Sequence, residues 1–273
     1  MLCCIGCCGF NRRAGRLAPK HGVRTVELVE RSGRRRKEFS FDRVFPSGAS
    51  QAEVYTEVSQ LVQSALDGYH VCIFAYGQTG AGKTHTMEGP PGELALEDDQ
   101  RGLIPRALHQ VFQVAHSQPH WTYTMVASFV EVYNETLRDL LATQQPQQQQ
   151  ASLQLKMAHK DGPVTVAGLT EVPVTSAEQI TQLLRRARKN RAVAATKCNE
   201  RSSRSHSVFR LDIVGQNTHT GLGCRGRLNL VDLAGSERLS ESQSRGPRLR
   251  EAQKHQQVAS PTWATSSWHS PTG

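Results

Sequence analysis

The sequence feature that most constrains the fold is the stretch GQTGAGKT at positions 77–84. It follows the apolar run VCIFAY at 71–76 and fits the pattern glycine, any four residues, then Gly-Lys-Thr. Glycines allow a tight loop whose N–H groups point at phosphate oxygens, and the loop opens a helix whose N-terminus favours anions. The pattern predicts that Lys83 reaches the β- and γ-phosphates of a nucleoside triphosphate and that Thr84 binds Mg²⁺. A plain glycine-rich turn between strand and helix is the alternative.

Length and charge limit the classes of protein to consider. The chain has 273 residues, enough for one large α/β domain with a substantial core. No apolar run approaches the ~20 residues that span a bilayer, so we expect no membrane partner. The net charge of +9 favours an acidic partner, which leaves nucleic acid, anionic lipid and an acidic protein lattice open.

The N-terminal segment is basic and rich in cysteine. Cysteines occupy positions 3, 4, 7 and 8 with no secretory signal before them, so we expect reduced thiols in the cytosol or nucleus. A metal site and a lipid anchor are weaker alternatives, because no second Cys or His pair has suitable spacing and position 2 is not glycine. Residues 1–37 are therefore predicted to be irregular, and the basic stretch at 12–37 to be a solvated loop rather than a docking arm.

Apolar periodicity predicts alternating helices and strands after residue 38. Ser50 with Glu53 forms a capping box before a helix that ends at Gly68, and further helices are predicted from Pro105 and from Ser176. The basic run at 185–191 in the last helix is predicted to be a solvated face. Strands are predicted at 121–133, 164–174, 207–214 and 227–231. This alternation predicts the α/β class: a P-loop NTPase-type three-layer sandwich with a mostly parallel central sheet flanked by helices.

Two further motifs complete a phosphate site. Such a site needs a carboxylate for Mg²⁺ and a sensor for the γ-phosphate, and the stretch VDLAGSE at 231–237 supplies Asp232 and Gly235. Asp232 ends a predicted strand, and Gly235 has no side chain to keep its N–H from a phosphate. Upstream, NERSSRSH at 199–206 places hydroxyls and an arginine in one loop, where they can coordinate Mg²⁺, orient water or pair with a carboxylate.

Together these motifs resemble the kinesin motor domain in order and spacing. The matching stretches are GQTGAGKT with HTMEG, FVEVYNE from Phe129, NERSSRSH, and LVDLAGSER from Leu230. With FSFDRVF at 39–45 and LREAQ from Leu249, the chain is most similar to the C-terminal-motor, minus-end-directed spindle kinesins. The resemblance covers about residues 38–254, which we predict to be a partial motor domain followed by an unstructured tail at 255–273.

The resemblance also implies a role for each matching residue. The nucleotide would contact Gly77, Gln78, Thr79, Gly80, Ala81, Gly82, Lys83, Thr84 and His85, with His85 near the adenine. Mg²⁺ would be held by Thr84, Ser203 and Asp232. Ser202 would help to place the lytic water and Gly235 would sense the γ-phosphate. Arg204 and Glu237 would form a salt bridge between the two switch loops when ATP is bound.

The activity implied is that of a microtubule motor. The resemblance implies ATP and Mg²⁺ as cofactors, microtubule-dependent ATP hydrolysis, and movement along microtubules. The partners implied are tubulin and full-length kinesin chains, and the location implied is the cytoplasmic cytoskeleton, on spindle microtubules. A nucleic-acid-binding module rests on charge alone, and a GTPase is weaker still because no Asn-Lys-x-Asp signature is present.

The sequence also departs from the family. Its start has no Arg-x-Arg-Pro strand, and the residues after Gln253 do not continue the family pattern, so we expect a truncated motor. This expectation leads to an alternative function: an inactive or regulatory fragment that binds nucleotide or tubulin without moving. Microtubules would then not stimulate ATP hydrolysis by the chain.

Overall fold

A computed structural model of the chain describes residues 4–5, 16–19, 24–29, 36–90, 99–143, 153–157, 164–195 and 203–237. The helices of these residues are α1 (Gln51–Leu66), α2 (Lys83–Glu88), α3 (Leu103–Ser117) and α4 (Ala177–Ala195). The strands are β1 (Cys4–Ile5), β2 (Arg16–Pro19), β3 (Thr25–Val29), β4 (Arg36–Ser40), β5 (His70–Ala75), β6 (Trp121–Tyr133), β7 (Thr136–Asp139), β8 (Gln154–Met157), β9 (Val164–Ala167), β10 (Val172–Val174), β11 (His206–Asn217) and β12 (Gly223–Asp232).

The central sheet has seven strands and is mixed. Its order is β1-β5-β12-β11-β6-β10, with β7 also paired to β6. Strands β1 and β12 run parallel to β5, whereas the other four pairings are antiparallel. The α/β class is confirmed, but the prediction of a mostly parallel sheet was wrong. The physical reason is that a short turn, not a helix, joins β11 to β12, and such a turn produces antiparallel neighbours.

Asn217 closes this turn. Its side-chain oxygen accepts hydrogen bonds from the main-chain N–H groups of His219 and Thr220, and its carbonyl accepts one from Gly221. An asparagine that bonds the backbone two and three residues later substitutes for a main-chain turn. The long hairpin β11–β12 therefore has its own local stabilisation.

One face of the sheet carries the core. Ile73, Leu230, Phe209 and Phe129 lie side by side on β5, β12, β11 and β6, and all are buried. The rings of Phe129 and Phe209 meet edge to face at a centroid distance of 5.5 Å. Helices α1, α3 and α4 pack beside one another against this core. Among the described residues they form a single helical layer, and the second layer of the predicted sandwich stays a prediction.

The helices begin and end close to where the sequence predicted them. The capping box of Ser50 and Glu53 is present at the start of α1, and α3 begins two residues before Pro105. The basic run of α4 differs from its prediction, because Arg188 and Arg191 turn towards Glu88 instead of solvent. In the described part of the chain, no helix is both long and apolar enough to cross a membrane.

Residues 1–37 were predicted to be irregular, and this was wrong for β1, β2 and β3, which lie within this segment, and for the start of β4. Strand β1 pairs with β5, and β2, β3 and β4 form a small antiparallel sheet. The missed signal is the alternation of apolar and polar residues in TVELV, which is typical of a strand. The predicted strand at 164–174 divides into β9 and β10. Cysteines 3, 7, 8 and 198, the glutamine-rich loop at 144–150 and the tail at 255–273 lie outside the described residues.

Strand β12 passes directly under α1 at Gly226. A Cβ at Gly226 would overlap the carbonyl oxygen of Ala65. We expect Gly226→Ala to lower the free energy of unfolding by about 1–3 kcal/mol, the usual cost of overpacking a core. Urea unfolding measures the change. Gly48→Ala is the matched control, because a Cβ there meets no atom within 4 Å. Equal midpoints for the two variants would contradict this packing.

Candidate functional site

Two parallel strands bring the phosphate loop together with residues 233–237, the second switch segment. The P-loop, residues 77–84, follows β5, and residues 233–237 follow β12, whose last residue Asp232 lies opposite Ala75. Just beyond the strands, Ser236 donates its N–H to the carbonyl of Gly77 at 3.1 Å. The carboxyl ends of neighbouring parallel strands are where open α/β sheets bind their ligands. The candidate site lies at this edge of the sheet.

The P-loop folds tightly around its lysine. Gly80 and Gly82 have φ angles of 78° and 87°, in the left-handed region that favours glycine. Helix α2 begins directly afterwards at Lys83, whose buried side chain turns back so that Nζ donates to the carbonyl of Gln78 at 2.9 Å. The ammonium group is thereby held over the loop, where it can contact a phosphate group.

Thr84 and Asp232 meet across the two strand ends. The hydroxyl of Thr84 donates to Oδ2 of Asp232 at 2.6 Å. Burial raises the pKa of Asp232, although the hydrogen bond from Thr84 and the charges of Arg191 and Lys83 oppose that rise. The other carboxylate oxygen, Oδ1, is buried without a protein hydrogen-bond partner. Such an acceptor needs a water or a cation, and hydroxyl and carboxylate oxygens are the ligand types that Mg²⁺ prefers. The residues present therefore fit a magnesium ion.

Gly235 connects the two switch segments, the first containing Ser203 and the second spanning residues 233–237. Its N–H donates to the carbonyl of Ser203 at 2.8 Å, and the preceding residue, Ala234, donates its N–H to Nδ1 of His206 at 3.1 Å. A Cβ at position 235 would overlap the Thr79 hydroxyl and the carboxylate of Glu237. A larger residue at position 235 would therefore displace the carboxylate of Glu237 from Thr79, and the predicted contact of Gly235 with the γ-phosphate stays a prediction.

Glu237 reaches back to the P-loop. Its carboxylate accepts hydrogen bonds from the main-chain N–H of Thr79 at 2.9 Å and from the Thr79 hydroxyl at 2.5 Å. Burial alone would raise the pKa of Glu237, but these hydrogen bonds hold it below its ordinary value. The predicted salt bridge between Arg204 and Glu237 in the ATP-bound state stays a prediction. Ser202 lies outside the described residues.

The structure adds Gln51, which the sequence analysis missed. Its amide nitrogen donates to the carbonyl of His85 at 2.6 Å and lies 2.9 Å from Nδ1 of the same residue. Because an amide nitrogen only donates, Nδ1 of His85 accepts and its ring proton is on Nε2. Gln51 therefore orients the residue predicted to lie near the adenine. In the sequence Gln51 is an ordinary first residue of a helix, so nothing local pointed to this contact.

Removal of the Thr79 hydroxyl gives a pH-dependent test. In Thr79→Val the carboxylate of Glu237 loses the hydrogen bond from the Thr79 hydroxyl, so we expect its pKa to rise. Because the pKa of Glu237 is depressed in the folded protein, its stabilisation is present at neutral pH and is lost as the pH falls through that folded value. The loss of stability in Thr79→Val should therefore shrink on acidification.

NMR titration of the Glu237 carboxyl and urea unfolding at pH 7 and at about pH 3 measure both effects. Thr122→Val is the control, because Thr122 is exposed and its hydroxyl bonds the carbonyl of Gln216, at the end of β11 opposite to the candidate site. An unchanged Glu237 titration in Thr79→Val would contradict the contact.

Comparison with known sequences identifies relatives. The family model described as the kinesin motor domain matches residues 15–258. Kinesin-like protein KIFC1 from Homo sapiens is 55% identical over 228 residues, which cover 80% of this chain and 33% of that protein. Kinesin-like protein klpA from Emericella nidulans is 51% identical over 222 residues, covering 81% of this chain and 27% of that protein. The chain thus spans about a third or less of the length of these relatives.

Solved structures agree with these relatives. The motor domain of the kinesin-like protein Kar3 from Saccharomyces cerevisiae matches with a TM-score of 0.74 and 35% identity, covering 94% of this chain and 77% of that one. The structure of a fast kinesin matches with a TM-score of 0.75 and 38% identity, covering 86% of this chain and 64% of that one. The mixed sheet flanked by helices is therefore the fold of kinesin motor domains, which have the P-loop NTPase fold.

Proposed function

This chain belongs to the kinesin motor domain family, and we propose that it binds ATP with Mg²⁺ and hydrolyses it to drive movement along microtubules. The observation that supports this most is the hydrogen bond between Thr84 and Asp232, because it joins the P-loop helix to the end of β12. A threonine hydroxyl and a buried carboxylate side by side are the protein ligands that a P-loop site presents to Mg²⁺.

The roles of the site residues follow the same scheme. Lys83 and the N–H groups of residues 77–84 bind the phosphates, and Thr84, Ser203 and Asp232 hold the metal, which neutralises phosphate charge when bound. Ser202 helps to place the lytic water. His85 lies near the adenine of the nucleotide. Hydrolysis then depends on positioning and charge stabilisation, with no covalent intermediate.

Gly235 would act through an exchange of hydrogen bonds. Its N–H donates to Ser203 in the structure, so contact with the γ-phosphate requires that this bond be released. Glu237 is hydrogen-bonded to Thr79 of the P-loop. It is therefore in place to respond to the same phosphate and to pair with Arg204. In this scheme the γ-phosphate rearranges both switch segments.

We assign microtubules as the partner from chemistry and similarity. The fast kinesin structure is described in terms of an ATPase mechanism and interactions with microtubules. The net charge of +9 suits an acidic protein lattice. We therefore place the chain on the cytoskeleton, at spindle microtubules, with full-length kinesin chains as a second partner. The relatives do not favour the alternative of a fragment that binds without moving.

Nucleotide binding is tested at Lys83. We expect Lys83→Ala to weaken binding of a fluorescent ATP analogue by about 2 kcal/mol or more, because a charge-assisted contact in a buried site is lost. Chelation of Mg²⁺ should weaken binding to the unaltered chain as well. Lys156→Ala, on the exposed strand β8, is the matched control and should bind normally. Equal affinities for the two variants would place the nucleotide elsewhere.

Motor activity is tested by steady-state ATP turnover with increasing polymerised tubulin. We expect turnover to rise with tubulin, and Glu237→Ala to lose this rise while it still binds nucleotide, because the switch contact is removed and the P-loop is kept. Tyr69→Ala, at an exposed residue that precedes β5, at the opposite end of that strand from the P-loop, is the control for surface substitution. Turnover that stays flat while nucleotide binds would contradict the motor function and favour the binding fragment.

A further inference from the structure

A cluster of buried charges joins α4 to the end of the P-loop helix. Glu88, the last residue of α2, has a side chain that is 7% exposed. Its carboxylate pairs with Nη1 of Arg191 at 2.6 Å and with Nε of Arg188 at 3.4 Å, and its main-chain carbonyl accepts from Nη2 of Arg188 at 2.7 Å. One carboxylate thus holds two arginines of the neighbouring helix.

Arg191 also lies near a second buried carboxylate. Its Nε is 3.9 Å from Oε1 of Glu131, whose side chain is 1% exposed, and its guanidinium lies over the ring of Phe129 at 5.5 Å. Burial alone would lower the pKa of Arg191, but Glu88 and Glu131 raise it. Buried ion pairs add little net stability compared with apolar residues of similar volume. Stability alone therefore does not account for this cluster.

The cluster lies beside the candidate active site. Glu131 on β6 is opposite Ser207 on β11, and Ser207 is opposite Asp232 on β12. These three residues form a row across the sheet at the edge where the P-loop begins. Ser203 is four residues before Ser207, and α4 precedes Ser203 in the sequence. The ion pairs therefore join the elements on either side of the first switch to the P-loop helix.

We propose that Glu88 and Arg191 are positioning residues for ATP hydrolysis, because their ion pair holds Arg191 beside Glu131, which is opposite Ser207, and so keeps Ser203, four residues before Ser207, beside Gly235. This inference rests on the proposed function for its effect on catalysis, but its structural part does not. In the P-loop, Lys83 donates to the carbonyl of Gln78 and Thr84 donates to Asp232. Loss of the pair should therefore lower turnover more than it weakens nucleotide binding.

The main variant is Arg191→Met, which removes the charge and keeps much of the side-chain volume. We expect turnover to fall by about 10- to 100-fold, since a small misplacement of a reacting group has effects of this size, with a smaller increase in the dissociation constant for ATP. Arg191→Lys should recover part of the rate, because it keeps the charge but not the planar fork. Lys189→Met, at an exposed residue of the same helix, is the control and should be unchanged.

A second measurement needs no nucleotide. The Gly235 N–H is bonded to Ser203, so its amide hydrogen exchange reports whether Ser203 stays in place. We expect exchange at Gly235 to be at least about tenfold faster in Arg191→Met, while the amides of Phe209 and Leu230 in the core strands stay protected. Unchanged exchange at Gly235 in a folded Arg191→Met would overturn the proposal.

A third variant separates positioning from folding. If Arg191→Met also loses protection in the core strands, the double variant Glu131→Gln with Arg191→Met decides, because it removes Arg191 together with the buried charge of Glu131, while Glu88 keeps Arg188 as its partner. Low turnover and fast Gly235 exchange in the folded double variant support the proposal. Normal turnover and normal Gly235 exchange in this variant would show that packing alone holds α4, and they would overturn the proposal.

The two proposals fail in different ways. If the unaltered chain binds or hydrolyses no ATP, the proposed function is wrong, yet the comparison of Gly235 exchange still tests the positioning of Ser203. If the unaltered chain turns over ATP and Arg191→Met does so equally well, the proposed function stands and the positioning role is wrong.

Discussion

The parallel pairing of β5 with β12 is the constraint on which the site depends. It places Asp232 opposite Ala75, so that the loops that follow the two strands leave the sheet side by side. The contact of Thr84 with Asp232 and the contact of Thr79 with Glu237 both require this register. A slip by one residue would turn Asp232 to the opposite face of the sheet and separate it from Thr84.

Buried charge is concentrated at this edge. Asp232, Glu131 and Glu88 are three buried acidic residues, and Lys83 with Arg191 supplies the opposite charge. Charges taken out of water are costly unless they are paired, and in a low-dielectric site each acts more strongly on its neighbours. The edge is thus arranged so that several segments, distant in sequence, must be in place together for any of these charges to be balanced.

Local signals predicted local structure well. The capping box of Ser50 located α1, and the glycine pattern located the P-loop, because in both the residues that decide the geometry are within a few positions of each other. Contacts across the chain could not be predicted in this way. The direction of β11 and the partner of Arg191 each depend on residues far away in the sequence. The arginine-rich helix looked solvated because Glu88 gives no local sign of its role.

The β11–β12 hairpin has a consequence for how the site forms. It joins Ser203 and Gly235 through a turn that is local in sequence, so these two switch segments can approach early in folding at a small cost in loop entropy. The pairing of β12 with β5 closes a much longer loop and therefore comes later. The contact between Thr84 and Asp232 is completed only by this pairing. The ability to bind nucleotide thus reports that β5 has joined the β11–β12 hairpin.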